Sequence, residues 1–178
     1  MISYDAEEYL QLALNANSKG DLHVAMSYLK ELLIMEPQNS TGIYLLATLH
    51  AELGLLDRAV RGIRAALLIQ PTLKIARLQL GLLLFDIGQF QEAKEQFREL
   101  CGSQNDALTC YSEGLVAFVD GNLSEAREKL SRGLQQQTDS MALAALMKRM
   151  LERIDAQMAA DQSQLNTISM GAYQQSAP

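Results

Sequence analysis

The chain has 178 residues, of which 48% are hydrophobic, 20% charged and 6% aromatic, with no Trp and only three prolines; this is a globular, Leu/Ala-rich balance, long enough for one ordinary domain or a short array of repeats. A formal charge of -6 and a pI near 4.9 exclude the basic stripe that a nucleic-acid binder needs to release counterions. No apolar run approaches the roughly 20 residues of a membrane span, and Met1 to Glu8 lack the basic and apolar regions of an export signal, so a cytoplasmic location is expected.

Taken in chain order, the elements repeat. Gly20, Gly54 and Gly88 stand 34 residues apart and Gly121 follows after 33, while Ala25, Ala59, Ala93 and Ala126 keep the same steps. Each glycine opens a short turn (Gly20-Asp21, Gly54-Leu55-Leu56-Asp57, Gly88-Gln89, Gly121-Asn122), and the alanine sits five residues later on a second helix. That helix carries its apolar residues at i, i+4 and i+7, on one face: Ala25, Leu29, Leu32; Ala59, Ile63, Ala66; Ala93, Phe97, Leu100; Ala126, Leu130, Gly133. Pro37 and Pro71 end the second helix of the first two units, because proline disfavours helical geometry at the residue before it. Asn105 and Thr138 take their place later, as polar loop residues. The units run over about 4–37, 38–71, 72–105 and 106–138. Beyond them Leu143, Leu146, Met147, Met150, Leu151 and Ile154 describe one amphipathic helix, from about Ser140 to Ala160, with Lys148, Arg149, Glu152, Arg153 and Asp155 on its polar face. From Asp161 to Pro178 the composition turns to Gln, Ser, Asn, Thr and Gly, and a flexible tail is expected.

This period resembles the tetratricopeptide repeat over about residues 4 to 138. The signature apolar and small pair of the first helix is matched by Leu12-Ala13, Leu46-Ala47, Leu80-Gly81 and, with a departure, Glu113-Gly114; Ala16, His50, Leu84 and Ala117 follow three residues later. The aromatic residue one turn earlier is present as Tyr9 but becomes Ile43, Arg77 and Cys110. The resemblance implies an all-α fold, an α-α superhelix or solenoid of four helix-turn-helix repeats closed by a C-terminal capping helix over 139–160. Small residues permit close approach of neighbouring helices, so a bulky side chain at Ala59 is expected to force the stack apart.

The resemblance also implies a concave surface lined by first helices. Counting through the register places Leu10, Leu14 and Asn17 there, then Tyr44, Thr48 and Glu52, then Leu78, Leu82 and Phe85, and finally Tyr111, Leu115 and Phe118. This face is apolar and should be covered by a ligand, a partner, a second copy or the chain's own terminal region. The family's clamp for a C-terminal carboxylate needs Lys, Asn and Arg where this chain has Leu10, Leu14, Thr48, Leu78 and Leu82, which rejects it. An amphipathic helix or an extended segment with apolar anchors suits the face better.

The patterns of phosphate loops, nucleophile elbows, zinc proteases and calcium loops are missing. Cys101 and Cys110, far in sequence from His23 and His50, read as two separate buried or half-buried thiols rather than a disulfide or metal set. His50 reads as a structural histidine. Asp21 and Asp57 read as helix caps rather than cation ligands, although Asp86 recurs near a turn as well, and Met141, Met147, Met150 and Met158 read as core filling. The expected function is therefore a non-enzymatic, cofactor-free adaptor or chaperone for a protein or peptide with apolar anchors. In size, acidity and groove it is similar in architecture to the small tetratricopeptide chaperones of bacterial secretion systems. The alternative is a structural subunit of a larger assembly, such as a secretion or pilus system, or a homo-oligomer.

Overall fold

A computed structural model describes residues 4–102, 106–136 and 141–174, with no side-chain description for residues 141–142 and 164–174. Asn105, Thr138 and Ser140, and the end of the expected tail, lie outside the described residues. Within them the chain forms nine α-helices: α1 (Ala6–Ser18), α2 (Leu22–Met35), α3 (Ser40–Glu52), α4 (Leu56–Ile69), α5 (Lys74–Asp86), α6 (Phe90–Arg98), α7 (Ala107–Val119), α8 (Leu123–Leu134) and α9 (Met141–Gln174). They fall into two units, Met1–Gln96 and Phe97–Pro178, with the division inside α6.

The turn glycines decide where each first helix stops. Gly20, Gly54, Gly88 and Gly121 all have positive φ, between 74° and 81°. An L side chain is strained there, whereas glycine reverses the chain at little cost and frees the next residue to start a new helix. At the other end of the pair, α2 and α4 stop at Met35 and Ile69, and Glu36 and Gln70 leave the helical region before Pro37 and Pro71, as the proline ring requires.

Helix starts are capped by residues other than those expected. Asp5 and Glu8 form a reciprocal capping box on α1, each side chain accepting from the other's backbone N–H at 2.8 Å. Asn39 accepts from the Gly42 N–H, Asp106 from Thr109 and Asn122 from Glu125. Asp21 occupies the cap position of α2 but its side chain makes no capping bond, and Asp57 lies inside the first turn of α4. Both capping expectations are thus corrected. The Asp21 backbone has ψ near 64° rather than the extended geometry of Asp5 and Asp106, and in α4 the boundary residue is Leu55.

Core formation follows the repeat. Ala25, Ala59, Ala93 and Ala126 are all fully buried. In the first unit Ala13, Ala16, Ala25, Leu29 and Leu49 form a cluster against which Leu10, Leu22, Tyr28 and Leu46 pack. Close approach is literal at Gly62, where a Cβ would stand 2.6 Å from the Ala47 Cβ. In the second unit a Cβ on Gly114 would lie 2.9 Å from Leu130 Cγ, and one on Gly133 only 2.5 Å from the Tyr111 ring.

Helix α9 is longer than expected. It packs on α8 through buried Leu143, Met147 and Ile154, and Arg127 of α8 holds Asp155 at 2.6 Å. Its backbone then continues helically to Gln174 instead of ending at Ala160. Composition misled here: beyond Ala160 no proline occurs before Pro178 and the first glycine is Gly171, so the polar residues that follow meet no helix breaker. None of the helices among the described residues is long and apolar enough to cross a membrane.

Candidate partner-binding groove

The twelve groove residues read from the sequence separate into open and closed positions. In the first unit, Leu14, Asn17 and Thr48 come together around one recess, floored by Ala13, Leu29, Leu45 and Leu49. Leu14 is 40% exposed. The recess is apolar for a specific reason: the Thr48 hydroxyl donates to the Leu45 carbonyl at 2.8 Å, which satisfies it internally, so Asn17 alone offers a side-chain amide there. Leu45 belongs to this surface although the register count chose its neighbour Tyr44. Leu10 is half-buried against the core cluster, and Glu52 is exposed in the last turn of α3. Burial of Tyr44 pushes its phenol up to about 12, so it stays neutral.

Leu82 is half-buried. Phe85 is also half-buried but turns toward the start of α6, where its ring meets Phe90 edge-on at 5.1 Å. Phe90 was missed by the sequence reading. Its signal was the aromatic residue standing directly after Gly88-Gln89, where the other repeats begin their second helix with Leu22, Leu56 and Leu123.

Four of the twelve are corrected, because Leu78, Tyr111, Leu115 and Phe118 are buried. Tyr111 lies over Gly133, the one position in its series without a side chain, where Leu32, Ala66 and Leu100 stand in the earlier repeats. Phe118 lies beneath the Arg153 guanidinium of α9, 6.0 Å from the ring centroid. In the second unit, therefore, residues at the proposed groove register serve the core.

Other reactive side chains have structural surroundings. Glu113, the departure from the leucine series, accepts from Lys129 Nζ at 2.7 Å across α7 and α8; that hydrogen bond holds the lysine above its usual range. Cys110 is buried, but Cys101 is exposed, correcting the expectation that both thiols are sequestered. Its Sγ donates to the Phe97 carbonyl. Partial desolvation and then the Glu113 carboxylate push this thiol up, away from the nucleophilic thiolate form. His50 is half-buried. Desolvation, followed by the charges of Arg58 and Lys30, holds its imidazole below the ordinary value. Among the described residues no group of three or more His, Cys, Asp and Glu side chains converges as a metal set would.

Residues 76–106 match the family profile of the tetratricopeptide repeat. That stretch is one tetratricopeptide repeat in length, and the other helix pairs keep its period. MamA from Desulfovibrio magneticus RS-1 aligns with all of this chain over all of its own solved length, at 19% identity and a TM-score of 0.64. The Cut9-Hcn1 structure of the APC/C hetero-tetramer matches 94% of this chain with 33% of its own, at 19% identity and a TM-score of 0.74. A mutant O-GlcNAc transferase from Thermobaculum terrenum matches 74% of this chain with 27% of its own, at 20% identity and a TM-score of 0.60. Likeness at these identities is a likeness of fold, that of an all-α tetratricopeptide solenoid. No curated protein matches the chain at the level of sequence.

Proposed function

We propose that the chain is a cytoplasmic, non-catalytic protein-binding module, an adaptor or chaperone, that holds an apolar helical or extended segment of a partner protein. The observation that carries this reading is the apolar surface between α1, α2 and α3, where Leu14 is exposed beside Ala13, Leu29, Leu45 and Leu49 with Asn17 at its rim; the cavity there is about 10 Å³, so an anchor lies across Leu14 and not inside the recess. Such a surface receives apolar anchors, and one amide beside it can take a hydrogen bond from the incoming segment. Because Thr48 is already satisfied, an apolar side chain can cover it without stranding a donor. The surroundings of two reactive side chains suit the non-enzymatic reading, since Lys129 is engaged by Glu113, and desolvation followed by the Glu113 carboxylate pushes the Cys101 thiol up.

The test uses a synthetic amphipathic peptide with leucines at i, i+4 and i+7, compared with a scrambled isomer, and reads the methyl NMR signals of Leu14, Leu45 and Leu49. The patterned peptide is expected to move these signals, and Leu14→Glu to weaken the response at least about tenfold. Equal response to both isomers, or binding that survives Leu14→Glu, overturns the reading.

A further inference from the structure

The second repeat departs from its neighbours where α3 turns into α4. The residue after the turn glycine is polar in the other repeats, as Asp21, Gln89 and Asn122, but here it is Leu55, 40% exposed. Four and seven residues after that glycine the first repeat has Val24 and Ser27, the third Glu92 and Glu95, and the fourth Glu125 and Glu128; the second has Arg58 and Arg61. Stacking therefore demands neither the leucine nor the arginines.

In the fold these departures meet. Leu55, Leu56, Arg58 and Arg61 line one open recess of about 480 Å³ beside Gly54, together with Ile87, the residue after α5. Leu56 and Ile87 are half-buried and make the wall apolar, while both arginines are exposed. Among the described residues neither arginine side chain makes an ion pair or a hydrogen bond. Arg64, by contrast, is held by Glu92, and Arg77 by the Pro71 carbonyl and Gln96. Asp57 lines the same recess and offsets one of the two charges, which leaves one positive charge over.

Charge and shape together select the occupant. Arg58 and Arg61 stand one turn apart on the same face of α4, a spacing at which two guanidinium groups can hold one carboxylate. A recess of this size, with an apolar wall and a few charged groups, takes a single side chain and its neighbour. We propose that it docks a segment of a partner protein in which an aspartate or glutamate stands next to a leucine, isoleucine or phenylalanine. The carboxylate pairs with Arg58 and Arg61, and the apolar neighbour lies on Leu55, Leu56 and Ile87. A phosphatidylserine surface is a poorer occupant, because it repels a chain of net charge -6. The recess shares no residue with the surface around Leu14.

The probe is an acetylated, amidated peptide with one aspartate between two leucines, at up to about 5 mM, beside its isostere carrying asparagine. The aspartate peptide is expected to move the methyl NMR signals of Leu55, Leu56 and Ile87, and the isostere to bind at least about tenfold more weakly. Raising the salt from about 50 mM to about 500 mM should weaken the response as well. Arg58→Glu with Arg61→Glu, and separately Leu55→Asp, should each abolish it at unchanged helical circular dichroism, since other repeats fold with those residue types in those places. Leu14→Glu should leave it intact, so failure here and failure of the reading built on Leu14 are distinguishable. The absence of any shift at the highest concentration overturns the proposal. Equal binding of the isostere does so too, as does a response that survives the double arginine variant, or capture by phosphatidylserine vesicles without a response to the peptide.

Discussion

At the scale of single residues, what matters most is where a Cβ is missing. Tyr111 can lie flat over α8 only because Gly133 has no side chain, and the two residues act as one feature. Gly133→Ala should destabilise the protein by about 1–3 kcal/mol through overpacking against the ring and the Ala107 carbonyl. Tyr111→Leu in the same chain should recover part of that loss, and a double-mutant cycle by chemical denaturation measures the coupling; strict additivity of the two changes would refute the packing account. His50 gives a pH-dependent counterpart. Its folded-state value is held below the ordinary one, so the unfolded chain binds the proton more readily. Stability is complete above the unfolded value, near 6.5, and declines as pH falls from there through the lower folded value. Melting temperatures of His50→Gln should show a flatter slope across that window than the parent chain.

At the scale of elements, caps and turns divide the chain, and their contributions are separable. Asp106 accepts a bond from the Thr109 N–H at 2.7 Å, so Asp106→Ala should cost about 0.5–2 kcal/mol. Asp21 stands at the same position of its helix without making that bond, and Asp21→Ala should fall within about 0.5 kcal/mol of the parent. Thermal melts of the two variants distinguish a cap that acts from one that is only placed. The difference was not legible in the sequence, since both are aspartates before an apolar helix; only the fold shows which side chain meets a donor. The turn glycines were legible, because four positions at one spacing need the same left-handed backbone and only glycine adopts it freely. Helix α9 lies between these cases: its apolar stripe announced the contact with α8, but polar composition hid the continuation to Gln174.

At the scale of the molecule, the order of the helices, α1 to α8 in pairs and then α9, follows the period of the sequence. The candidate groove was legible in part. Leu14, Asn17 and Thr48 line one recess, yet Tyr111, Leu115 and Phe118 occupy the same register and are buried. The register states which way a side chain leaves its helix; it does not state what stands opposite. Gly133 makes room for Tyr111, and Arg153 reaches Phe118 from a helix beyond the last full repeat. The exposure of Ile34, Met35, Leu68 and Ile69 escaped the sequence reading for the converse reason. In sequence these residues look like the ends of buried stripes, and only their exposure in the fold separates them from Leu29 and Ile63.

The amino-acid sequence by itself determined the repeat, the helix boundaries at Gly20, Gly54, Gly88 and Gly121, and the inward alanines, because these depend on backbone geometry and on contacts between neighbours in the chain. Tertiary structure alone decided which apolar residues are open to a partner. Exposure is a property of what lies across the gap, and for Leu14, Leu68, Tyr111 and Phe118 that neighbour, or its absence, is set by residues distant along the chain.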